Sequence, residues 1–539
     1  MKPLLTLCVC AAASLLASAA HSQQHEHDHD HAALGTVNFP ISCAPQAQAP
    51  FNTTVALLYS FFWERIDAAV ADVLKADPNC GMAYWAKAVA SLENALGSPP
   101  TPKLEQAGWA AVENAKRLGA KTQRERDYIA AIEVVFKDYQ TVPFQRRAAD
   151  YEKALEQLHE RYPKDSEAAI LYAFWLQVTA DRNDQTYAQQ LKSAAILEKE
   201  LPAQPEHPGI AHFLIHAYDF PAIADRGYDA AKRYALIAPD SPHALHMPSH
   251  IFSRVGQWQD SIDINIRSRA VAKQDRDAYH ALDYMVYAAL QLGRDADARS
   301  WVDVVNGAPK PNEETRQIAY AGAAIPARYA LERGDWATAA RLDLHPTPAN
   351  FNWKPHPEGE AVNAYARGLG AARSGNAAAA RTEVSRLKSL SDVMVTQKKD
   401  YWVEQATIQM NAISAWIAKA EGRNDEALRM LAEAAAQEDH TEKHIMMPGR
   451  VIPVREMLGE MLLDLNRPAA ALRAFEASQR ADPKRFRNVY GAARAASLAG
   501  YRDKAQASYT QLVAQVGSNG PGRREIKEAR AYLSQLGND

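Results

Sequence analysis

The sequence predicts an all-α protein in which pairs of helices stack into a solenoid. From about residue 50 onward, alanine-rich amphipathic segments follow one another, separated by short turns that contain proline or glycine. Similar stretches recur about every 34 residues, as expected when one helix–turn–helix unit is repeated. No convincing alternation of Val or Ile with polar residues indicates a β-strand.

Recurring turns mark the ends of the predicted helices. Proline interrupts the chain between two helices at residues 76–79, 238–242 and 481–486. A glycine suited to a helix C-cap recurs at 255–258, 292–295, 333–336, 374–377, 421–424 and 499–502. The pattern is weakest at 97–125, 181–206, 340–358 and 438–453. We expect insertions or irregular connections in these four stretches.

These features resemble the tetratricopeptide-repeat (TPR) superfamily across nearly all of residues 50–520. More narrowly, His207-Pro-Gly and His246-Met-Pro-Ser-His250-Ile-Phe resemble a family of exported bacterial TPR proteins without a settled activity. The resemblance implies a right-handed superhelix, for which we expect at least seven helix pairs. In this superfamily the concave groove usually receives peptides or partner proteins, so the resemblance is specific for fold and weak for function.

Composition and charge limit the classes of function. The chain has 61 Lys and Arg against 64 Asp and Glu, a net charge of −3, which excludes a generally basic nucleic-acid binder. After the first twenty residues no apolar stretch is long enough to span a bilayer. The expected parts are 1–20 signal peptide, 21–37 His/Asp-rich disordered tail, 38–205 N-terminal helical repeats, 206–310 His-rich central TPR repeats, 311–437 middle TPR-like repeats and 438–539 C-terminal TPR repeats with a capping helix.

The N-terminus predicts export to the periplasm or beyond the cell. Lys2, the apolar run 4–16 and the small residues 17–20 form a signal-peptide pattern. Residues 21–31 alternate histidine with acidic and other polar residues, which suits loose metal chelation or only a solubilising tail. Cleavage would leave Cys43 and Cys80 in an oxidising compartment, so we predict a disulfide between them; two separate buried thiols are the alternative.

A ladder of histidines is the most informative feature of the sequence. His212 and His216 are four residues apart, as are His246 and His250, so each pair shares one helix face. The second pair follows the first by 34 residues, and a further 34 residues lead to His280 and Tyr284. With Pro239 closing a repeat, all six positions lie on first helices, which line the groove in the superfamily that the chain resembles.

Neighbouring helices lie about 8–10 Å apart, so imidazoles from two of them can meet on one ion. We therefore predict that His212, His216, His246, His250 and His280 bind a transition metal such as Zn, Cu or Fe. Residues expected in a second shell or elsewhere in the groove are His207, Asp219, His243, Arg254, Asp283 and Tyr284.

Two features qualify this prediction. Pro248 lies inside the predicted helix and should kink it between His246 and His250. His440 and His444 precede the irregular stretch at 438–453, which would either cover the groove or form a surface helix end.

The sequence thus predicts an exported TPR solenoid that binds a transition metal, for metal handling or for metal-dependent chemistry. The alternative is an interaction scaffold whose groove binds a peptide or partner protein, with histidine giving a response to pH. A small molecule is a further expected occupant of the groove. Neither a phosphate loop, a G-x-S-x-G elbow nor a zincin helix is found, so we expect no nucleotide cofactor and leave open whether the protein is an enzyme.

Overall fold

The computed structural model describes residues 33–520 and 522–536. Across these ranges the chain forms helices and no β-strand, so the all-α prediction is confirmed. The predicted signal peptide at 1–20 and the His-rich stretch at 21–31 lie outside the described residues. None of the described helices is both long and apolar enough to cross a membrane.

The N-terminal part contains eight α-helices. They are α1 (Gln48–Tyr59), α2 (Ile66–Ala76), α3 (Gly81–Ala90), α4 (Pro102–Leu118), α5 (Gln123–Phe136), α6 (Phe144–Arg161), α7 (Ser166–Val178) and α8 (Ala188–Glu200). Helices α4 and α8 lie within 97–125 and 181–206, where we expected insertions or irregular connections. Local capping helps to explain α4, because the Thr101 hydroxyl accepts a hydrogen bond from the Leu104 amide at its start.

The segment before α1 is attached to this part of the solenoid. The sulfurs of Cys43 and Cys80 lie 2.07 Å apart, which is the predicted disulfide. Leu34 and Val37 are buried, and the Thr36 amide donates to the carbonyl of Glu206. Residues 33–37, which the sequence prediction assigns to a disordered tail, therefore pack against the folded chain.

The central part carries the histidine ladder. It comprises α9 (Pro208–Tyr218), α10 (Tyr228–Ile237), α11 (Pro242–His246), α12 (Pro248–Val255), α13 (Trp258–Val271), α14 (Asp275–Gln291) and α15 (Asp295–Asn306). Pro208 and Pro242 each occupy the first turn of a helix, where a missing N–H costs nothing. Their spacing of one repeat length gives the predicted register.

The remaining helices continue the solenoid to the C-terminus. They are α16 (Arg316–Glu332), α17 (Trp336–Ala339), α18 (Pro357–Arg373), α19 (Ala377–Thr396), α20 (Asp400–Ala420), α21 (Asn424–Asp439), α22 (Val454–Asp464), α23 (Pro468–Ala481), α24 (Phe486–Leu498), α25 (Arg502–Val516) and α26 (Arg524–Leu536). The first helices α14, α16, α18 and α20 pack side by side, and each contacts its own partner helix. The glycines of the six predicted turns have φ between +65° and +80°, in agreement with a C-cap role.

The solenoid curls back on itself through its C-terminal repeats. Helix α24 packs against α14, and the Trp258 indole N–H donates to the carbonyl of Lys484, 3.2 Å away. The irregular connection between α21 and α22, residues 440–453, is almost entirely buried. We call it the covering segment, because the Tyr284 hydroxyl and the Arg328 guanidinium both donate to its backbone carbonyls. The sequence left open whether this stretch covers the groove or forms a surface helix end, and in the structure it covers the groove.

Candidate metal centre

Six imidazoles from four helices converge at the centre of the solenoid. Among the described residues they form two groups, in each of which one side-chain nitrogen per residue lies within 4.8 Å of the others. The first triad is His212, His216 and His243, and the second triad is His246, His250 and His280. His212, His216, His246 and His250 are buried, whereas His243 and His280 are partly exposed.

In the first triad the nitrogens cluster around His212. Its Nε2 atom lies 3.0 Å from Nε2 of His216, one helical turn away on α9. Nε2 of His243, in the first turn of the next first helix, is 3.1 Å from the same atom. Nδ1 of His212 donates to the backbone carbonyl of Tyr59, at 2.6 Å, so its Nε2 carries a lone pair.

The second triad repeats this construction one hairpin further on. Nε2 of His246 lies 3.2 Å from Nε2 of His250, and the His280 ring lies 4.3 Å from that of His246. Because Pro248 has no N–H, the helical hydrogen-bond pattern is interrupted between α11 and α12, as predicted. Met247 nevertheless keeps helical angles of −53° and −37°, so the two imidazoles still share one face.

Hydrogen bonds fix the tautomers of the second triad. Nδ1 of His246 lies 2.7 Å from Oδ1 of Asn265, whose amide nitrogen donates to the Ser261 carbonyl and so orients the oxygen toward the ring. Nδ1 of His250 lies 2.9 Å from Oδ2 of Asp219. Both acceptors require a proton on Nδ1. With both rings neutral, two unprotonated Nε2 atoms therefore face one another at 3.2 Å.

Asp219 is held as a carboxylate by two buried cations. Burial would raise the pKa of Asp219, but Lys443 and Arg254 outweigh it and hold that pKa well below its usual range. The Lys443 ammonium comes from the covering segment and donates to Oδ2 at 2.9 Å, while Nε of Arg254 donates to Oδ1 at 2.8 Å. Burial lowers the pKa of Lys443 to about 8, against the opposing effect of Asp219.

The environment of the imidazoles favours their neutral form. Burial, followed by repulsion from neighbouring cationic imidazoles, lowers the pKa of His212, His216, His243, His246 and His280 well below the ordinary value. Burial also lowers the pKa of His250, although Asp219 opposes the change. A neutral imidazole is the form that binds a metal ion.

Two aromatic side chains enclose the imidazoles. Phe61 has φ of +49°, a backbone conformation that bulky residues rarely adopt, and its ring stacks on His243 with centroids 5.2 Å apart. The Tyr284 hydroxyl lies 3.3 Å from Nε2 of His250 and donates to the carbonyl of Met447, 3.1 Å away. Backbone strain of this kind persists where the surrounding packing imposes it, often at functional sites.

Two cavities reach the imidazoles from outside. The site cavity, about 480 Å³, is lined by His216, His243, His250 and His280 together with aromatic residues such as Phe61 and Trp63. A second cavity of about 440 Å³ is lined by His216, Asp219, Lys443 and His444. The covering segment contributes residues to both, so it borders each route to the centre.

The structure brings together the five predicted ligands, but not around one point. His243, assigned by sequence to the groove, completes the first triad, and the other five divide between the two triads. Asp219, Arg254 and Tyr284 lie beside His250 as expected. Of the second histidine pair, His444 is buried beside both cavities and His440 is exposed.

Two other predicted groove residues have different partners. Asp283 does not orient an imidazole, because it pairs with Arg328 of the next first helix, with Nε 2.7 Å from Oδ1. His207 lies 3.2 Å from Glu167, which also accepts the Tyr59 hydroxyl at 2.7 Å. Through Glu167, His207 thus helps to position Tyr59, whose backbone carbonyl accepts the hydrogen bond from His212.

Sequence reasoning missed four residues of the site: Tyr59, Phe61, Asn265 and Lys443. Tyr59 and Phe61 come from the N-terminal helices, Asn265 from α13, which pairs with α11 and α12, and Lys443 from the covering segment. Each contacts the centre through tertiary packing. The one available signal was the irregularity of 438–453, which contains Lys443.

Comparisons with known proteins give a fold similarity at most. No family model matches the chain, and no curated protein matches it. The structure of Naa15/Naa10 bound to HypK-THB aligns over 91% of this chain and 80% of the other, at 14% identity and a TM-score of 0.24. The crystal structure of yeast Tom70 aligns over 91% and 89%, at 12% identity and a TM-score of 0.30. Both scores are low, so the description as a TPR-like, all-α solenoid rests on the helix pairs themselves.

Proposed function

We propose that this chain is an exported helical-repeat protein that binds transition metal ions at its six-imidazole centre. One observation carries the proposal: the Nε2 atoms of His246 and His250 face one another at 3.2 Å while both Nδ1 protons are engaged elsewhere. Two lone pairs at this distance repel unless a cation lies between them. A transition metal ion is such a cation, because neutral imidazole is a common metal ligand.

The outer contacts of the imidazoles also fit a metal site. Metal-binding histidines usually donate their second N–H to a carbonyl or carboxylate, which fixes the ring and raises its basicity. Tyr59, Asn265 and Asp219 supply such acceptors here. All-imidazole donor sets suit Zn, Cu, Ni and Fe, whereas Ca²⁺ and Mg²⁺ prefer oxygen.

Export is part of the same proposal. The signal-peptide pattern at 1–20 supports it, as does the pairing of Cys43 with Cys80, because stable disulfides form mainly in oxidising compartments. The His-rich stretch at 21–31 would then precede the solenoid in the periplasm or outside the cell. Cleavage after the small residues 17–20 is checked by N-terminal sequencing of the mature protein.

The alternative, a groove that binds a partner peptide, is less well supported at this position. The backbone carbonyls of the covering segment already accept hydrogen bonds from Tyr284 and Arg328, so a peptide would have to displace these buried hydrogen bonds. Binding of a partner protein elsewhere on the solenoid remains compatible with a repeat scaffold.

Elemental analysis of untagged protein tests metal binding. The tail histidines, His21, His25, His27, His29 and His31, are first replaced by glutamine in the full chain, so that only the centre is measured. We expect stoichiometric transition metal that is lost on the double substitution His212→Asn and His246→Asn. The control is His159→Asn, which removes a half-buried imidazole on α6, outside the triads and both cavities. Metal-free protein after growth and loading with Zn²⁺ or Cu²⁺ would refute the proposal.

A further inference from the structure

We infer that the centre is binuclear, with one metal ion in each triad and the two ions close enough to share a ligand that enters from the site cavity. This inference rests on the proposed metal-binding function and adds the number of ions and the place of a small-molecule ligand. It replaces the single shared ion that the sequence predicts.

The six nitrogens are grouped too far apart for one ion. Metal–imidazole bonds are about 2.0–2.1 Å long, so ligands of one ion lie within roughly 4 Å of one another. Within each triad one nitrogen per residue lies within 4.8 Å of the others, and the closest Nε2 pairs are 3.0 to 3.2 Å apart. Every ring has a neighbour in its own triad with centroids no more than 5.1 Å apart. Between the triads, the ring centroids of His216 and His250 are 6.1 Å apart, and those of His243 and His246 are 6.4 Å apart.

The two triads are also built in the same way. Each uses an i,i+4 pair, on α9 in the first triad and across the α11–α12 junction in the second. Each adds a single histidine from the next hairpin, on α11 in the first triad and on α14 in the second. His243 follows His212 by 31 residues, and His280 follows His246 by one full repeat of 34 residues. One repeat interface therefore forms one three-imidazole set, and the adjacent interface forms another.

The first triad has an unsatisfied arrangement of its own. With its Nδ1 proton donated to Tyr59, His212 has a single lone pair on Nε2, yet two imidazole nitrogens approach that atom at 3.0 and 3.1 Å. Only one of them can donate to it. Nδ1 of His216 is buried and has no partner among the described residues. A cation among the three Nε2 atoms removes this conflict, as it does in the second triad.

The site cavity opens onto both triads. Its lining includes two imidazoles of each, His216 and His243 from the first and His250 and His280 from the second. A metal held by three imidazoles keeps a coordination position for an exogenous ligand. Paired metals in proteins commonly lie about 3.5–4 Å apart and bind one substrate or water between them. A small molecule from the cavity would meet both ions.

Copper loading tests the inference, because two Cu²⁺ ions that share a ligand couple their spins and lose their paramagnetic resonance signal. The protein is the full chain with the tail histidines replaced by glutamine, loaded with Cu²⁺ and freed of excess metal. We expect two copper ions per chain and a resonance signal that accounts for only a small fraction of them. His243→Asn and His280→Asn should each reduce the content to one copper and restore its signal, whereas His159→Asn should change neither.

The outcomes separate the two proposals. One copper per unsubstituted chain, or two coppers with a full signal, would overturn the binuclear inference and leave metal binding intact. No bound copper or zinc would refute metal binding itself. Because either triad variant could fail to fold, circular dichroism and thermal unfolding of each are compared with the parent. A misfolded variant is replaced by His250→Asn or His216→Asn, for which the same halving is expected.

Discussion

Two buried polar clusters lie next to each other in this solenoid, and they differ in how their groups are satisfied. One is the six-imidazole centre. The other is an arginine cluster in which Arg485 donates to Glu332, to Glu456 and to the Tyr287 hydroxyl, all of them buried. Every N–H-bearing nitrogen of the Arg485 guanidinium has an acceptor, whereas lone pairs in the imidazole centre face one another.

The difference shows how a stabilising cluster can be distinguished from a binding site. Buried polar groups that satisfy one another contribute to folding and need no further partner. Arg328 illustrates this, because it pairs with Asp283 and also donates to two carbonyls of the covering segment. Neutral groups of one type that meet without a proton or a counter-charge are better explained by a ligand.

The largest effect is expected in the arginine cluster. Arg485→Met leaves Glu332 and Glu456 buried without their shared cation, so we expect a loss of about 3–5 kcal/mol in the free energy of unfolding. Urea denaturation measures the loss, and metal content per folded chain should stay unchanged. Arg299→Met, which removes an exposed ion pair with Asp303, serves as the control and should cost little. A loss below about 1 kcal/mol for Arg485→Met would contradict this account.

The parts of the centre that the sequence predicted are those fixed by repeat periodicity. The i,i+4 pairs and the 34-residue phase required only helix geometry and a register, which Pro208 and Pro242 supply at the first turns of α9 and α11. The division into two triads was not predictable, because it depends on how His243 turns from the start of α11 toward His212.

Long-range contacts account for the rest. The covering segment reaches the centre from more than two hundred residues away, where Lys443 pairs with Asp219. No local pattern encodes that contact. Asp283 is among the residues expected in a second shell around the imidazoles, but it pairs instead with Arg328, 45 residues further on. Competition between possible partners in a folded core is decided by packing, which spacing alone does not describe.

A smaller effect is expected when one imidazole is retained but loses the hydrogen bond that orients it. Asn265→Leu deletes the acceptor that fixes the tautomer of His246, and we expect metal affinity to fall about 10- to 100-fold with the imidazole still present. Competition with a chelator of known affinity measures the change. Asn363→Leu, a buried asparagine far along the chain from the triads, is the matched control. Unchanged affinity in Asn265→Leu would mean that this hydrogen bond does not orient a ligand.

The smallest effect concerns the pH dependence of the metal-free protein, and it sharpens the contrast between the two clusters. Burial lowers the pKa of His246 well below the unfolded value of about 6.5. Below about pH 6.5 the unfolded chain therefore binds a proton that the folded chain does not, and stability falls as the pH decreases.

One such imidazole steepens the fall by at most about 1.4 kcal/mol per pH unit. His246→Asn should reduce the slope of the free energy of unfolding against pH by up to this amount between about pH 6.5 and the lower folded pKa of His246. Above about pH 6.5 the slope should stay as it is in the parent. The control is Asn363→Leu, which removes a buried side chain that does not titrate and should leave the slope unchanged. Denaturation midpoints of chelator-treated protein at several pH values provide the measurement. Equal slopes in His246→Asn and the parent would show that His246 is not buried as a neutral group, and the argument from facing lone pairs would fail with it.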